Sequence, residues 1–139
     1  MNTMTQPLPP EIAAIPRVAL FLSRPEVQQE LERILREQYS SLMLITDKAK
    51  LAEFAFPLIV LVDTIKDVAE IRSLHPVEGT QVLVVLEEGD SEIEAAAFDA
   101  GADDHLVYPF QPAAVVGKIE KYLEAFRGRN PLARQASAL

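Results

Sequence analysis

The chain has 139 residues, 49% apolar and 24% charged, enough for one compact domain with a core of its own and too apolar for a disordered chain. Its net charge of −8 sets it against nucleic acid, whose phosphates it would repel, and the lack of any cysteine removes disulfides, thiol catalysis and thiolate metal sites. No apolar run reaches the roughly 18 residues that a membrane span needs, and no basic-then-apolar leader opens the chain, so a cytoplasmic location is expected.

Residues 1–16, MNTMTQPLPPEIAAIP, are proline-rich and aperiodic and read as a flexible arm. A regular alternation follows. RVALFL (17–22) is an apolar run of strand length, and the next stretch places Val27, Leu31, Ile34 and Leu35 at helical spacing. LMLIT (42–46) predicts a second strand and 47–55 a short helix. PLIVLV (57–62) predicts a third strand, followed by a helix marked by Ile65, Val68, Ile71 and Leu74. QVLVVL (81–86) and a helix over about 91–100 come next, then the short strand HLVY (105–108). The closing helix starts at Pro112 with Val115, Val116, Ile119, Tyr122, Leu123 and Phe126 on one stripe. The domain is thus expected over 17–127, with a flexible tail over 128–139. Ser23-x-x-Glu26 and Ser91-x-x-Glu94 both fit a capping box, and Pro25 and Pro112 suit a first helical turn.

Five strands alternating with five helices imply an α/β fold with a parallel sheet covered on both faces. Strands 57–62 and 81–86 support it, being apolar without alternation, as strands buried on both sides must be. In such sheets ligands bind beyond the carboxyl ends of the strands. That rule selects Ser23 and Arg24 after strand one, and Asp63 and Thr64 after strand three. It also selects Leu86, Glu87 and Glu88 after strand four, and Tyr108 and Pro109 after strand five. No glycine-rich phosphate loop lies among them, which argues against a nucleotide- or flavin-binding protein of flavodoxin-like topology. His75 and His105 are the only histidines, and neither ends a strand beside a serine, so no Ser-His-Asp constellation is available.

AGADDHLVYPF (100–110) followed by QPAAVVGKIEKYL resembles the end of a response-regulator receiver (CheY-like) domain, where AGADDYLxKPF precedes the last helix. PLIVLVD resembles the receiver strand that ends in the phosphoacceptor aspartate. The resemblance spans 17 to about 126 and implies strand order 2-1-3-4-5. It also implies an acidic pair after strand one to hold Mg²⁺, an aspartate after strand three, a hydroxyl ending strand four and a lysine ending strand five. Only the aspartate, Asp63, is present; Ser23 and Arg24 stand for the acidic pair, Leu86 for the hydroxyl, Tyr108 for the lysine and His105 for the switch aromatic. The resemblance therefore implies an atypical, pseudo-receiver variant without cofactor, Mg²⁺ being needed only if Asp63 still works. The alternative is a weakly phosphorylatable regulator using Asp63.

Several residues carry a plain reading beside the functional one. Asp63 is expected to pair with Arg24 or with nearby backbone N–H groups, since a partly buried carboxylate needs a partner. Arg24 is either a built-in cation in place of Mg²⁺ or a solvated helix-start residue. Glu87 and Glu88 read as a solvated turn more readily than as a displaced metal site with Asp63. Asp103, Asp104 and His105 cannot converge on a metal, because successive strand residues point to opposite faces. His105 is a pH-sensitive surface group or simply half-exposed. Tyr108 is expected to pack over the vacated pocket with its hydroxyl toward water or Asp63, and Tyr108–Pro109 is a candidate cis peptide. The resemblance places a partner surface on the fourth helix, fifth strand and fifth helix, about 91–126, with His105, Gln111 and Lys118 as its side chains. The partner is expected to be another signalling protein, with a homodimer through the same face as a further expectation.

Overall fold

The structure, a computed structural model, describes residues 17–49, 58–74 and 80–129. Five strands run β1 (Arg17–Phe21), β2 (Met43–Ile45), β3 (Leu58–Val62), β4 (Thr80–Glu87) and β5 (Asp104–Tyr108). The helices among the described residues are α1 (Pro25–Gln38), α2 (Ile65–Leu74), α3 (Ser91–Ala100) and α4 (Pro112–Arg129). All strands are parallel, in the order β2-β1-β3-β4-β5. The fold is the α/β architecture that the alternation of elements implies. The arm at 1–16, His75 and residues 130–139 lie outside the described residues, as does most of the helix expected over 47–55. α4 runs to Arg129, two residues past the boundary expected at 127.

The sheet separates two apolar layers, and strand alternation decides which residue goes to which. Val18, Leu20, Ile59, Leu61, Leu83, Val85 and Leu106 face α1 and α4, meeting Val27, Leu31, Leu35, Val115, Ile119 and Leu123. Ala19, Val60, Val62, Val82, Val84 and Leu86 face α2 and α3, meeting Val68, Ile71 and Ala97. Residues 59–62 and 82–84 are fully buried, which is why those strands are continuous apolar runs. The α1 stripe is buried as its spacing predicts, whereas only Val68 and Ile71 of the α2 stripe are; Ile65 and Leu74, at the helix ends, are exposed.

The helix starts differ from the expected capping boxes. Arg24, not Ser23, is the N-cap of α1, with Pro25 in the first turn and no side-chain cap; the Ser23 hydroxyl is drawn instead to Asp63. Asp90, not Ser91, is the N-cap of α3, and its carboxylate accepts the Glu87 N–H at 3.3 Å rather than a helix N–H.

The turn after α3 is locked by Arg72, a contact with no obvious mark in the sequence beyond the AGADD motif itself. Its guanidinium donates to the Gly101 carbonyl at 2.9 and 3.0 Å and to the Thr80 carbonyl at 3.1 Å, and pairs with Asp103. Asp103 in turn accepts the Val82 N–H at 2.8 Å, so one side chain of α2 ties α3, β4 and the entry to β5. Gly101 has φ +118°, and a Cβ there would stand 2.9 Å from Arg72 Cγ. Gly89, at φ +94°, has open space instead. Gly89→Ala is therefore expected to cost about 1–2 kcal/mol from its left-handed backbone alone. Gly101→Ala adds overpacking of typically 1–3 kcal/mol, so its urea midpoint falls clearly further. Equal midpoints would mean that the Arg72 contact is not rigid.

Candidate functional site: the cleft at the strand ends

The carboxyl ends of β1, β3, β4 and β5 surround a cleft of about 220 Å³ lined by Ser23, Arg24, Asp63, Leu86, Glu87 and Tyr108, among others. The sheet order makes this meeting unavoidable, since β3 lies between β1 and β4. Asp63 follows the last residue of β3. Its Oδ2 accepts the Ser23 N–H at 2.9 Å and the Ser23 hydroxyl at 2.7 Å, while its Oδ1 is buried without a hydrogen-bond partner. Of the two partners expected for Asp63, the backbone N–H is the one observed. Arg24 is not the other: its Nη1 donates to Glu87 at 2.6 Å and its Nε to Glu26 at 3.0 Å. Glu26, on the same helix start, and Glu87, at the end of β4, hold the guanidinium instead.

Tyr108 ends β5, and the Tyr108–Pro109 peptide is cis. The tyrosine ring lies under the Arg24 guanidinium, 5.2 Å from its centroid, and edge-on to Phe110 at 5.2 Å. Its hydroxyl makes no bond to Asp63, contrary to one of the two directions expected; the ring, not the oxygen, is what meets Arg24 at the cleft. Leu86 is buried in the α2–α3 layer and brings no hydroxyl. Glu87, read from sequence as a solvated turn residue, is the last residue of β4 and one of the two carboxylates that hold Arg24. A chain from Glu87 through Arg24 to Tyr108 thus crosses the mouth and links the ends of β4, β1 and β5.

Asp103, Asp104 and His105 turn to different sides of β5. Asp103 turns to Arg72 and Asp104 to α4, while His105 turns to α3, so the three consecutive residues diverge as strand geometry requires. No group of three metal-ligand side chains occurs among the described residues. His105 Nδ1 is 3.3 Å from Glu94 and its ring stands edge-on to Phe98 at 6.4 Å. His105, Gln111 and Lys118 do come together, with Val107, Pro109 and Val115, around a depression of about 440 Å³.

Lys118 donates to Asp104 at 2.6 Å and to the His105 carbonyl at 2.7 Å, and Tyr122 donates to Asp104 at 2.9 Å. Burial pushes the Asp104 carboxyl up, but hydrogen bonds from Lys118, the His105 N–H and Tyr122 outweigh it and hold it below the usual carboxylate value. A depressed folded value contributes stability that is present above the unfolded one and lost as pH falls through the folded one. The stability advantage of the wild type over Asp104→Asn is accordingly expected to be full near neutrality and to fade only in strong acid, as chemical denaturation at a series of pH values would show. An advantage that does not change with pH would remove the carboxylate as its source.

Solved structures with this architecture come from several bacteria. The receiver domain of NtrX from Brucella abortus superposes with a TM-score of 0.66 at 20% identity, covering 77% of this chain and 98% of that one. The fold is that of a receiver domain. A candidate response regulator from Chloroflexus aurantiacus J-10-fl gives 0.62 at 23% identity over 78% and 98%. A CheY-like protein (tadZ) from Pseudomonas aeruginosa PAO1 gives 0.59 at 16% over 76% and 98%. No protein-family model and no curated protein matches the sequence. Receiver domains as a class imply a magnesium ion at this cleft, and the donor set here does not fit one. A hard cation of that kind takes oxygen ligands, commonly one or two carboxylates plus waters and phosphate oxygens. Asp63 offers one free oxygen, Ser23 and Arg24 stand where further carboxylates are needed, and the Arg24 guanidinium holds the mouth.

Proposed function

We propose that this chain is an atypical receiver domain that acts as a phosphorylation-independent protein-interaction module of a two-component type signalling system. The observation that carries the reading is the Glu87–Arg24–Tyr108 chain across the cleft where a receiver performs phosphotransfer. Phosphotransfer to an aspartate is catalysed chiefly by positioned charge that neutralises the moving oxygens. Removing one such group typically costs about 3–4 kcal/mol of transition-state stabilisation, and this chain lacks the metal ligands, the hydroxyl and the lysine together. With no reaction left to assist, the domain is not an enzyme; it works through its surface, without cofactor. The cytoplasm, where two-component proteins of this kind meet their partners, is its place of action. No helix among the described residues is long and apolar enough to cross a membrane, which fits that placement.

Its partner on this reading is another signalling protein, met on the face formed by α3, β5 and α4 with His105, Gln111 and Lys118 at its centre.

One observation favours a second reading, a weakly phosphorylatable regulator: the free Oδ1 of Asp63 is the atom a phosphoryl group would join. Incubation with radiolabelled acetyl phosphate and magnesium separates the two. The interaction-module reading expects no label on the wild type above that on Asp63→Asn. Magnesium-dependent label that Asp63→Asn abolishes would establish the second reading instead.

A further inference from the structure

Among the described residues three polar side chains are buried: Arg17 at 5% exposure, Thr80 at 0% and Gln81 at 7%. Two of them carry an atom without a hydrogen-bond partner, Nη1 of Arg17 and the Thr80 hydroxyl. Both residues stand at the amino-terminal end of the sheet, away from the cleft, as the first residues of β1 and β4. Arg17 alternates to the same face as Ala19, and Thr80 to the same face as Val82; Ala19 and Val82 belong to the layer under α2 and α3. The two polar side chains therefore leave one face of the sheet. Val18 pairs with Ile59 and Leu58 with Thr80, so only β3 separates them, two strand spacings or about 10 Å between backbones.

A guanidinium keeps its proton in a protein, so Arg17 brings a full positive charge into the interior. Burial lowers its pKa from the usual arginine value, and no described carboxylate raises it back. Arg72, the other guanidinium nearby, donates to the Thr80 carbonyl, but its charge is met by Asp103. Among the described residues one unit of positive charge is thus left over where β1, β3 and β4 begin, in a chain whose net charge is −8. Buried charges in folded proteins are paired, and buried hydroxyls are hydrogen-bonded. Both groups can donate, so one acceptor of opposite charge satisfies them together. The charge fixes its class. A monoanion cancels the guanidinium, whereas a phosphate dianion would leave a negative charge buried in its place. A carboxylate accepts from a guanidinium in the plane of its fork and keeps a second oxygen for the hydroxyl.

We infer that Arg17 and Thr80 form the seat of a small aliphatic monocarboxylate at the amino-terminal end of the sheet, the guanidinium holding one oxygen and the threonine hydroxyl the other. Bound there, the ligand joins β1 to β4 across β3, at the end of the sheet opposite to Asp63. It gives the domain a small-molecule input that needs no phosphoryl chemistry. The phosphotransfer test bears on Asp63 alone, so either idea can fail without the other.

The test is an NMR titration of the ¹⁵N-labelled full chain with sodium acetate at neutral pH, the ionic strength held constant with sodium chloride. So small a ligand is expected to saturate in the millimolar range, with amide shifts centred on Arg17, Val18, Thr80 and Gln81. Arg17→Met, which keeps an unbranched side chain without its charge, is expected to abolish the shifts. Thr80→Val keeps the shape without the hydroxyl and is expected to weaken binding about fivefold, the loss of one hydrogen bond. Inorganic phosphate is expected to bind more weakly than acetate. Absence of shifts beyond those that chloride gives, shifts that survive both Arg17→Met and Thr80→Val, or tighter binding of phosphate would overturn the inference. A wild type indifferent to acetate, together with an Arg17→Met chain less stable to urea, would assign the counter-charge to the chain itself and overturn it equally.

Discussion

A strand buried on both faces can keep polar side chains only at its ends, and β3 and β4 of this chain are such strands. Val60, Leu61 and Val62, with Val82, Leu83 and Val84 beside them, have no contact with water on either side of the sheet. From that constraint the rest follows. Helices must cover both faces, the connections must cross over, and the polar groups that do chemistry or recognition collect beyond Phe21, Val62, Glu87 and Tyr108. Asp63 is placed one residue past the buried run for the same reason that Asp103 and Gly101 are placed before β5. At the opposite end of the sheet Arg72 uses this geometry structurally, donating to the carbonyls of Thr80, at the start of β4, and Gly101, before β5.

Within the cleft, several modest interactions link the ends of the strands. The hydrogen bonds of Ser23 to Asp63 are charge-assisted, so they are stronger than ordinary ones, and they occupy one of two carboxylate oxygens. Arg24 lies in exposed ion pairs, which by themselves contribute little to stability. Their consequence is positional: the guanidinium is held over Tyr108 and away from Asp63. The cleft is thus polar in part, yet among the described residues no three of its carboxylates group as a metal site.

The sequence was legible where period and burial coincide. The strands, the α1 stripe, the sheet class and the meeting of residues 23, 24, 63, 86 and 108 could all be read from apolar runs and the strand-end rule. The cis Tyr108–Pro109 peptide came from the likeness of one eleven-residue stretch. What was not legible depended on competition between neighbours. Ser23 fits a capping box until Asp63, forty residues away, takes its hydroxyl. Arg24 has an obvious acidic mate in Asp63 until the end of β4 brings Glu87 closer. Ile65 and Leu74 have helical spacing, but a ten-residue helix lying on a sheet buries its middle and leaves its ends outside. No local pattern carries such choices, because each is settled by a residue from another element.

The central claim, that this cleft has given up phosphoryl binding, is tested most directly by an NMR titration with magnesium and beryllofluoride, a phosphoryl mimic, on the wild type and on Asp63→Asn. The account predicts that the amides of Ser23, Asp63, Glu87 and Tyr108 keep their positions at high magnesium in both proteins. Saturable shifts centred on Asp63 in the wild type and missing in Asp63→Asn would contradict it and return the domain to the phosphorylation-switched receivers.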